Sequence, residues 1–117
     1  MGVIINESKS VKWEGKVEIA DNFIKRAFGF MLRNPGHALI FILPFETRFN
    51  ATIHGFFMLK SIDVIFLDSE KTVVDVTTLR PWRIYVPKKA AKYVIEGPVG
   101  LRKVLKVEVG DKVEWIT

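Results

Sequence analysis

Residues 62–78 read Ile-Asp-Val-Ile-Phe-Leu-Asp-Ser-Glu-Lys-Thr-Val-Val-Asp-Val-Thr-Thr, and this stretch decides the fold class. Residues 62–67 are dominated by β-branched and aromatic side chains, which pack well on a pleated surface. Asp68-Ser69-Glu70-Lys71 is a polar turn, and residues 72–78 return as a partner strand, so the stretch predicts a β-hairpin. Alternate residues of a strand share a face. Ile62, Val64 and Phe66 therefore form one face, and Asp63, Ile65 and Leu67 the other. Both faces are apolar apart from Asp63, so this strand is expected to be buried on both sides.

Working outward, residues 38–43 are a continuous apolar run and read as a buried strand that stops at Pro44. Residues 52–59 are β-like and strongly aromatic. Residues 3–6 and 16–20 read as strands separated by a polar stretch holding Trp13 and Gly15. Downstream, residues 93–96 form a short strand that ends at Gly97-Pro98. Residues 88–92 suit one helical turn after Pro87, and residues 101–105 a short helix. Residues 107–109 and 112–116 flank the turn pair Gly110-Asp111. Only one stretch has extended helical spacing: Phe23, Ile24, Ala27, Phe28 and Met31, with Asp21 as a cap and Asn34-Pro35-Gly36 as the stop. The expected fold is α+β, mainly β. It is a partly closed barrel or two packed sheets of short strands, with one main helix over about residues 21–33.

Composition bounds the rest. The chain has 117 residues, no cysteine and a formal charge of +5. That length suits a single domain spanning residues 1–117, large enough to fold without a metal or disulfide staple. The lack of cysteine excludes disulfide frameworks, zinc–thiolate sites and cysteine nucleophiles, and a reducing cytoplasm is the expected compartment. The longest uncharged stretches, residues 34–45 and 49–59, fall short of the roughly 20 residues a spanning helix needs, so no membrane partner is expected.

Three stretches resemble the domain-of-unknown-function family 192. Arg26-Ala27-Phe28-Gly29-Phe30-Met31-Leu32-Arg33 is similar to its R-x-x-G-[LF]-M-x-R signature. His54-Gly55-Phe56-Phe57-Met58, followed by Ile62-Asp63-Val64-Ile65-Phe66-Leu67-Asp68, resembles its H-x-F-F-M…[IL]-D-[VI]-[VI]-F-[LI]-D block. Tyr93-Val94-Ile95-Glu96, with Gly100 and then Val109-Gly110-Asp111-Lys112-Val113, resembles Y-V-[LI]-E-x-x-x-G and a closing G-D-x-V. Leu59, Lys60 and Ser61 depart from the linker that relatives carry. The resemblance implies a small β-rich fold of uncharacterised activity, with no established reaction.

Catalytic templates mostly fail. No serine lies in a G-x-S-x-G elbow, and no H-E-x-x-H, P-loop or dinucleotide fingerprint is present. Two histidines and scattered carboxylates give no metal spacing, so no metal and no cofactor are expected. Asp68 and Asp75 could approach across the hairpin, although such pairs are more often turn and surface groups. Asp63 is the notable carboxylate: stranded among apolar residues, it must be paired, hydrogen-bonded or protonated. Backbone N–H groups, Arg26 and Arg33 are its expected partners. Arg26 and Arg33 sit two helical turns apart with Phe30 between them, a face able to clamp an anionic or planar ligand. His54, Phe56 and Met58 complete the candidate ligand-binding set, with His54 a potential acid or base.

Charge is uneven. Residues 1–79 carry nine basic and nine acidic groups, whereas residues 80–106 carry eight basic groups against Glu96 alone. Arg80, Trp82, Arg83, Lys88, Lys89 and Lys92 interleave cations with an aromatic, as polyanion-binding surfaces do. The expected function is a ligand- or partner-binding module with an anion-accepting site, its partner an unknown small molecule or protein. Two rivals stand beside it. One is an enzyme using His54 or Asp63 as acid/base on a small anionic substrate. The other is weak, non-specific nucleic-acid binding through residues 80–106.

Overall fold

The structure is a computed structural model that describes residues 1–20, 37–56 and 58–117. The helix expected over residues 21–33, and with it Arg26, Phe30 and Arg33, lies outside the described residues, as does Phe57.

The described chain runs β1 (Gly2–Asn6), β2 (Val11–Gly15), β3 (Val17–Ala20), β4 (Ala38–Thr47), β5 (Ile53–His54), β6 (Ile62–Leu67), β7 (Val73–Leu79), β8 (Ile84–Tyr85), β9 (Ala91–Pro98), α1 (Leu101–Leu105) and β10 (Val113–Ile116). The strands form a five-stranded sheet ordered β3-β4-β9-β6-β7, a three-stranded sheet ordered β10-β1-β2, and a two-stranded ribbon of β5 and β8. The fold is α+β and mainly β; among the described residues the sheets pack in layers and do not close into a barrel.

The hairpin read from residues 62–78 is β6–β7, with Ile62 opposite Leu79 and Phe66 opposite Asp75. β6 also pairs antiparallel with β9, and every residue of β6 is buried. Its two faces separate two cores, as the alternation requires. Ile62, Val64 and Phe66 join Leu39, Phe41, Ile53, Met58 and Val94 on one side. Ile65 and Leu67 join Ile4, Ile40, Ile95, Leu101, Leu105 and Val113 on the other. The three-stranded sheet and α1 therefore cover the second face, and the β5–β8 ribbon contributes to the first. Gly97 of β9 makes room for this: a Cβ there would lie 2.7 Å from Leu101 Cδ2.

Several local expectations are corrected. Residues 11–15 form β2, whose exposed Lys12 and Glu14 alternate with half-buried Val11, Trp13 and Gly15; such a strand at a sheet edge reads as polar. Residues 88–92 are not a helical turn: Ala91 already opens β9 opposite Thr47. Residues 107–109 form no strand, because the chain is turning toward Gly110 at φ 99°. Among the described residues of 52–59, only Ile53–His54 are strand. The Cα radius of gyration is 12.6 Å, near the value of about 13 Å expected for this length.

Candidate functional site

The β5–β8 ribbon is short but firmly placed. Ile53 pairs with Tyr85, and both pack on the first core; His54 pairs with Ile84, and both point outward. The pairing continues beyond the strands through Gly55, whose N–H donates to Arg83 O at 2.8 Å and whose carbonyl accepts from Trp82 N at 2.7 Å. A Cβ on Gly55 would sit 2.5 Å from Arg80 O, so only glycine permits this approach.

Across from Gly55, residues Arg80-Pro81-Trp82-Arg83 form a tight turn closed by a 3.3 Å bond from Arg83 N to Arg80 O. Pro81 presets the first corner residue. Trp82 takes the second at φ 66°, where a turn of this kind calls for Gly or Asn. The residue is 60% exposed. Its ring stands 6.1 Å from the Phe56 ring, which in turn lies 4.9 Å from the His54 imidazole. Three rings thus succeed one another, with Phe56 half-buried between the exposed His54 and Trp82, and the exposed Arg80 and Arg83 belong to the same turn as Trp82. His54 Nδ1 accepts from Phe56 N at 3.2 Å. That acceptor role puts the proton of the neutral imidazole on Nε2 and leaves Nε2–H as a donor.

The basic segment that continues from this turn is anchored. Asp75, buried on β7, accepts from Tyr85 Oη at 2.7 Å and from Lys88 N at 2.9 Å through one oxygen, and from Val76 N at 2.9 Å through the other. Burial and this hydrogen bond push the Tyr85 hydroxyl up to about 12. Arg48 Nε donates to Pro87 O at 2.8 Å. Lys88 and Lys89 thus stand exposed on a held backbone, and Lys92 is half-buried at the start of β9.

Asp63 has a different role. It is 3% exposed. Its Oδ1 accepts from Thr78 Oγ1 at 2.7 Å, and its Oδ2 from the amides of Gly100 at 2.9 Å and Arg102 at 3.1 Å. The expected burial and backbone N–H bonding are both present. The carboxylate satisfies the otherwise orphaned donors at the start of α1, which has no side-chain cap of its own. Asp63 also borders an open groove of about 570 Å³ shared with Thr78, Arg102, Lys103 and Lys106.

The structure does not bring His54 and Asp63 together. His54 rides on the ribbon over the first core, while Asp63 shares its β6 face with Ile65 and Leu67 of the second. Met58 is 5% exposed and packs within the first core. Asp68 and Asp75 are spent separately, Asp68 Oδ1 accepting from Glu70 N and Thr72 N in the hairpin turn. Two candidate sets that are separate in the sequence adjoin: the Phe56 ring meets Trp82, and Gly55, between His54 and Phe56, bonds to the backbone of Trp82 and Arg83. Among the described residues, no group of three or more His, Cys, Asp or Glu side chains could hold a metal ion.

Sequence reasoning missed Glu96. It lies on the central strand β9, between Leu39 of β4 and Val64 of β6, and is 5% exposed. Burial alone pushes its carboxyl up to about 8. The available signal was a lone carboxylate closing the apolar run Tyr93-Val94-Ile95-Glu96.

Comparisons with known proteins agree along the whole chain. The family model DUF192, described as an uncharacterized ACR, matches residues 3–115. A UPF0127 protein of Pyrococcus horikoshii is 66% identical over 115 residues, covering 98% of this chain and 100% of the relative. A UPF0127 protein of Thermococcus kodakarensis is 60% identical over 114 residues, covering 97% and 73%. A solved structure from Sinorhizobium meliloti, provisionally described as a transcription regulator, superposes with a TM-score of 0.82 at 23% identity, covering 97% of this chain and 91% of that one. At that identity the likeness shows the fold alone. With the family model spanning nearly every residue and relatives this similar, the chain belongs to the DUF192 family of uncharacterised UPF0127 proteins.

Proposed function

We propose that this protein is a binding module whose anion-accepting site is the outer surface of the β5–β8 ribbon and the turn at residues 80–83. The observation that carries the reading is the succession of the exposed His54, half-buried Phe56 and exposed Trp82 rings, with the exposed Arg80 and Arg83 in the same turn as Trp82. Rings offer a planar ligand a stacking surface, and guanidinium offers its anionic group a fork of donors. No acidic residue occurs from Arg80 to Ile95, so nothing in that segment cancels the cations. His54 adds a donor through Nε2. Cysteine-free composition supports a cytoplasmic setting.

The test uses adenosine 5′-monophosphate as a planar, anionic probe, with calorimetry on the full chain. Saturable one-to-one binding is expected, weakened at least tenfold in Trp82→Ala and in Arg83→Gln. Binding unchanged in both variants, or none at millimolar probe and low salt, contradicts the reading.

A further inference from the structure

The open groove beside α1 gathers positive charge that the fold leaves unused. Arg102, Lys103 and Lys106 all line it, together with Asp63, Thr78 and Glu108. Among the described residues, none of the three cations pairs with a carboxylate. Arg102 Nη1 donates to Thr78 Oγ1 at 3.1 Å, which holds the guanidinium and leaves its remaining donors for a partner. Both acids of the lining are already engaged. Asp63 accepts from Thr78 Oγ1 and from the Gly100 and Arg102 amides, so the start of α1 has no donors to offer. Glu108 Oε1 lies 2.7 Å from Lys9 Nζ. Like charges three and four residues apart on a helix repel, so this cluster does not help α1 to fold.

The cations stand on a fixed support. Asp63 of β6 holds one end of α1. At the other end Leu105 O accepts from Asn6 Nδ2 at 2.9 Å, and Lys106 O accepts from Lys9 Nζ at 2.6 Å. Carbonyls that a helix end leaves orphaned thus tie α1 to β1 and to the turn that follows it. A partner meeting Arg102, Lys103 and Lys106 meets a surface whose backbone is ordered in advance, which lowers the cost of binding.

Shape and chemistry narrow the partner. The groove has a volume of about 570 Å³ but lies open to solvent, whereas a small-molecule site encloses most of its ligand. Val99 and Val107 belong to the lining, and Val99 is 63% exposed, so apolar groups are wanted beside the charges. No aromatic ring lines the groove to stack a base. Asp63 and Glu108 also disfavour an evenly charged phosphate chain, whereas carboxylates on a peptide can be spaced to avoid them. We infer that this groove docks an acidic segment of another protein. Its carboxylates meet Arg102, Lys103 and Lys106, and its apolar side chains meet the two valines. The groove shares no residue with the ribbon site and does not depend on it.

The experiment is fluorescence anisotropy of a labelled octapeptide, glutamates with two leucines spaced among them, titrated with the full chain. Saturable binding that weakens as salt rises is expected. Lys103→Glu with Lys106→Glu should weaken it at least about tenfold, because like charges set against one another exclude a partner. The matched reversal Lys60→Glu with Lys89→Glu, at exposed lysines outside the groove, should change it by less than about threefold. Replacing the leucines of the peptide by alanine should weaken binding about threefold or more. If the groove reversal fails to fold, Lys103→Gln with Lys106→Gln takes its place and should still weaken binding about threefold or more. Equal losses in the two reversal pairs overturn the inference and leave only net charge. No binding at low salt overturns it as well. An oligothymidylate that binds more tightly than the peptide and displaces it overturns the inference in favour of nucleic acid. A dimer of the chain alone, lost in Lys103→Glu with Lys106→Glu, overturns it in favour of a second copy.

Discussion

Asp63 Oδ2 accepts from the Gly100 amide at 2.9 Å, across 37 residues of sequence. The start of α1 is thus capped from the neighbouring strand. One carboxylate joins the β6–β7 hairpin, through Thr78, to the helix that closes the second core.

Removing that carboxylate leaves the Gly100 and Arg102 amides without their acceptor in a partly buried position. Asp63→Ala should lower stability by about 3 kcal/mol or more, since bonds to a charged group are the strong ones and orphaned donors carry a full desolvation cost. A urea melt measures this. A midpoint equal to wild type would remove Asp63 from its structural role.

Glu96 sets a pH dependence of definite sign. Its carboxyl is pushed by burial from 4.5 up to about 8. Between those values the folded chain keeps a proton that the unfolded chain has released, so stability falls as pH rises. The contribution is complete below pH 4.5 and lost as pH passes through about 8. The slope inside the window should approach 1.4 kcal/mol per pH unit, to order of magnitude. Glu96→Gln should flatten it, making the variant the more stable protein at pH 8 and the two alike near pH 4. Thermal melts across that range decide; parallel curves would count against a desolvated Glu96.

Tyr85 and Asp75 anchor the basic segment. Tyr85→Phe withdraws one of the three donors to the buried Asp75 carboxylate and should cost about 1–2 kcal/mol. In the wild type, the Tyr85 absorbance step should come near pH 12, and the variant should lack it. An alkaline titration whose difference spectrum shows this step near pH 10 would contradict the bond.

Trp82 separates stability from binding. Glycine at φ 66° relieves a left-handed conformation that costs other residues about 1–2 kcal/mol. The ring contact with Phe56 is lost in exchange. Trp82→Gly should therefore melt within about 1 kcal/mol of wild type while binding is lost. A large loss of stability would instead make Trp82 a packing residue.

How much of this was legible in the sequence depends on range. The β6–β7 hairpin showed itself because two apolar runs flank a polar turn, and the alternation of Asp63 with Ile62 and Val64 announced a buried carboxylate. Its partners on α1 did not show, since nothing in the sequence ties residue 63 to residue 100. The ribbon was illegible for the same reason: two residues, Ile53 and His54, pair with two others thirty positions on. His54 with Phe56, and Trp82 with its arginines, thus read as two separate sites. The strain at Trp82 left no trace either, because Arg-Pro-Trp-Arg gives no hint of a left-handed second corner.

The most direct test of the central claim is a ¹H–¹⁵N spectrum of the three indole N–H groups during titration with adenosine 5′-monophosphate. Trp13 and Trp115 pack against the second core on the far side of the five-stranded sheet, and Trp82 stands on the ribbon. A saturable shift of the Trp82 signal, with Trp13 and Trp115 unmoved, is the predicted result. A static Trp82 signal, or equal shifts in all three, would contradict the assignment of the ribbon surface as the binding site.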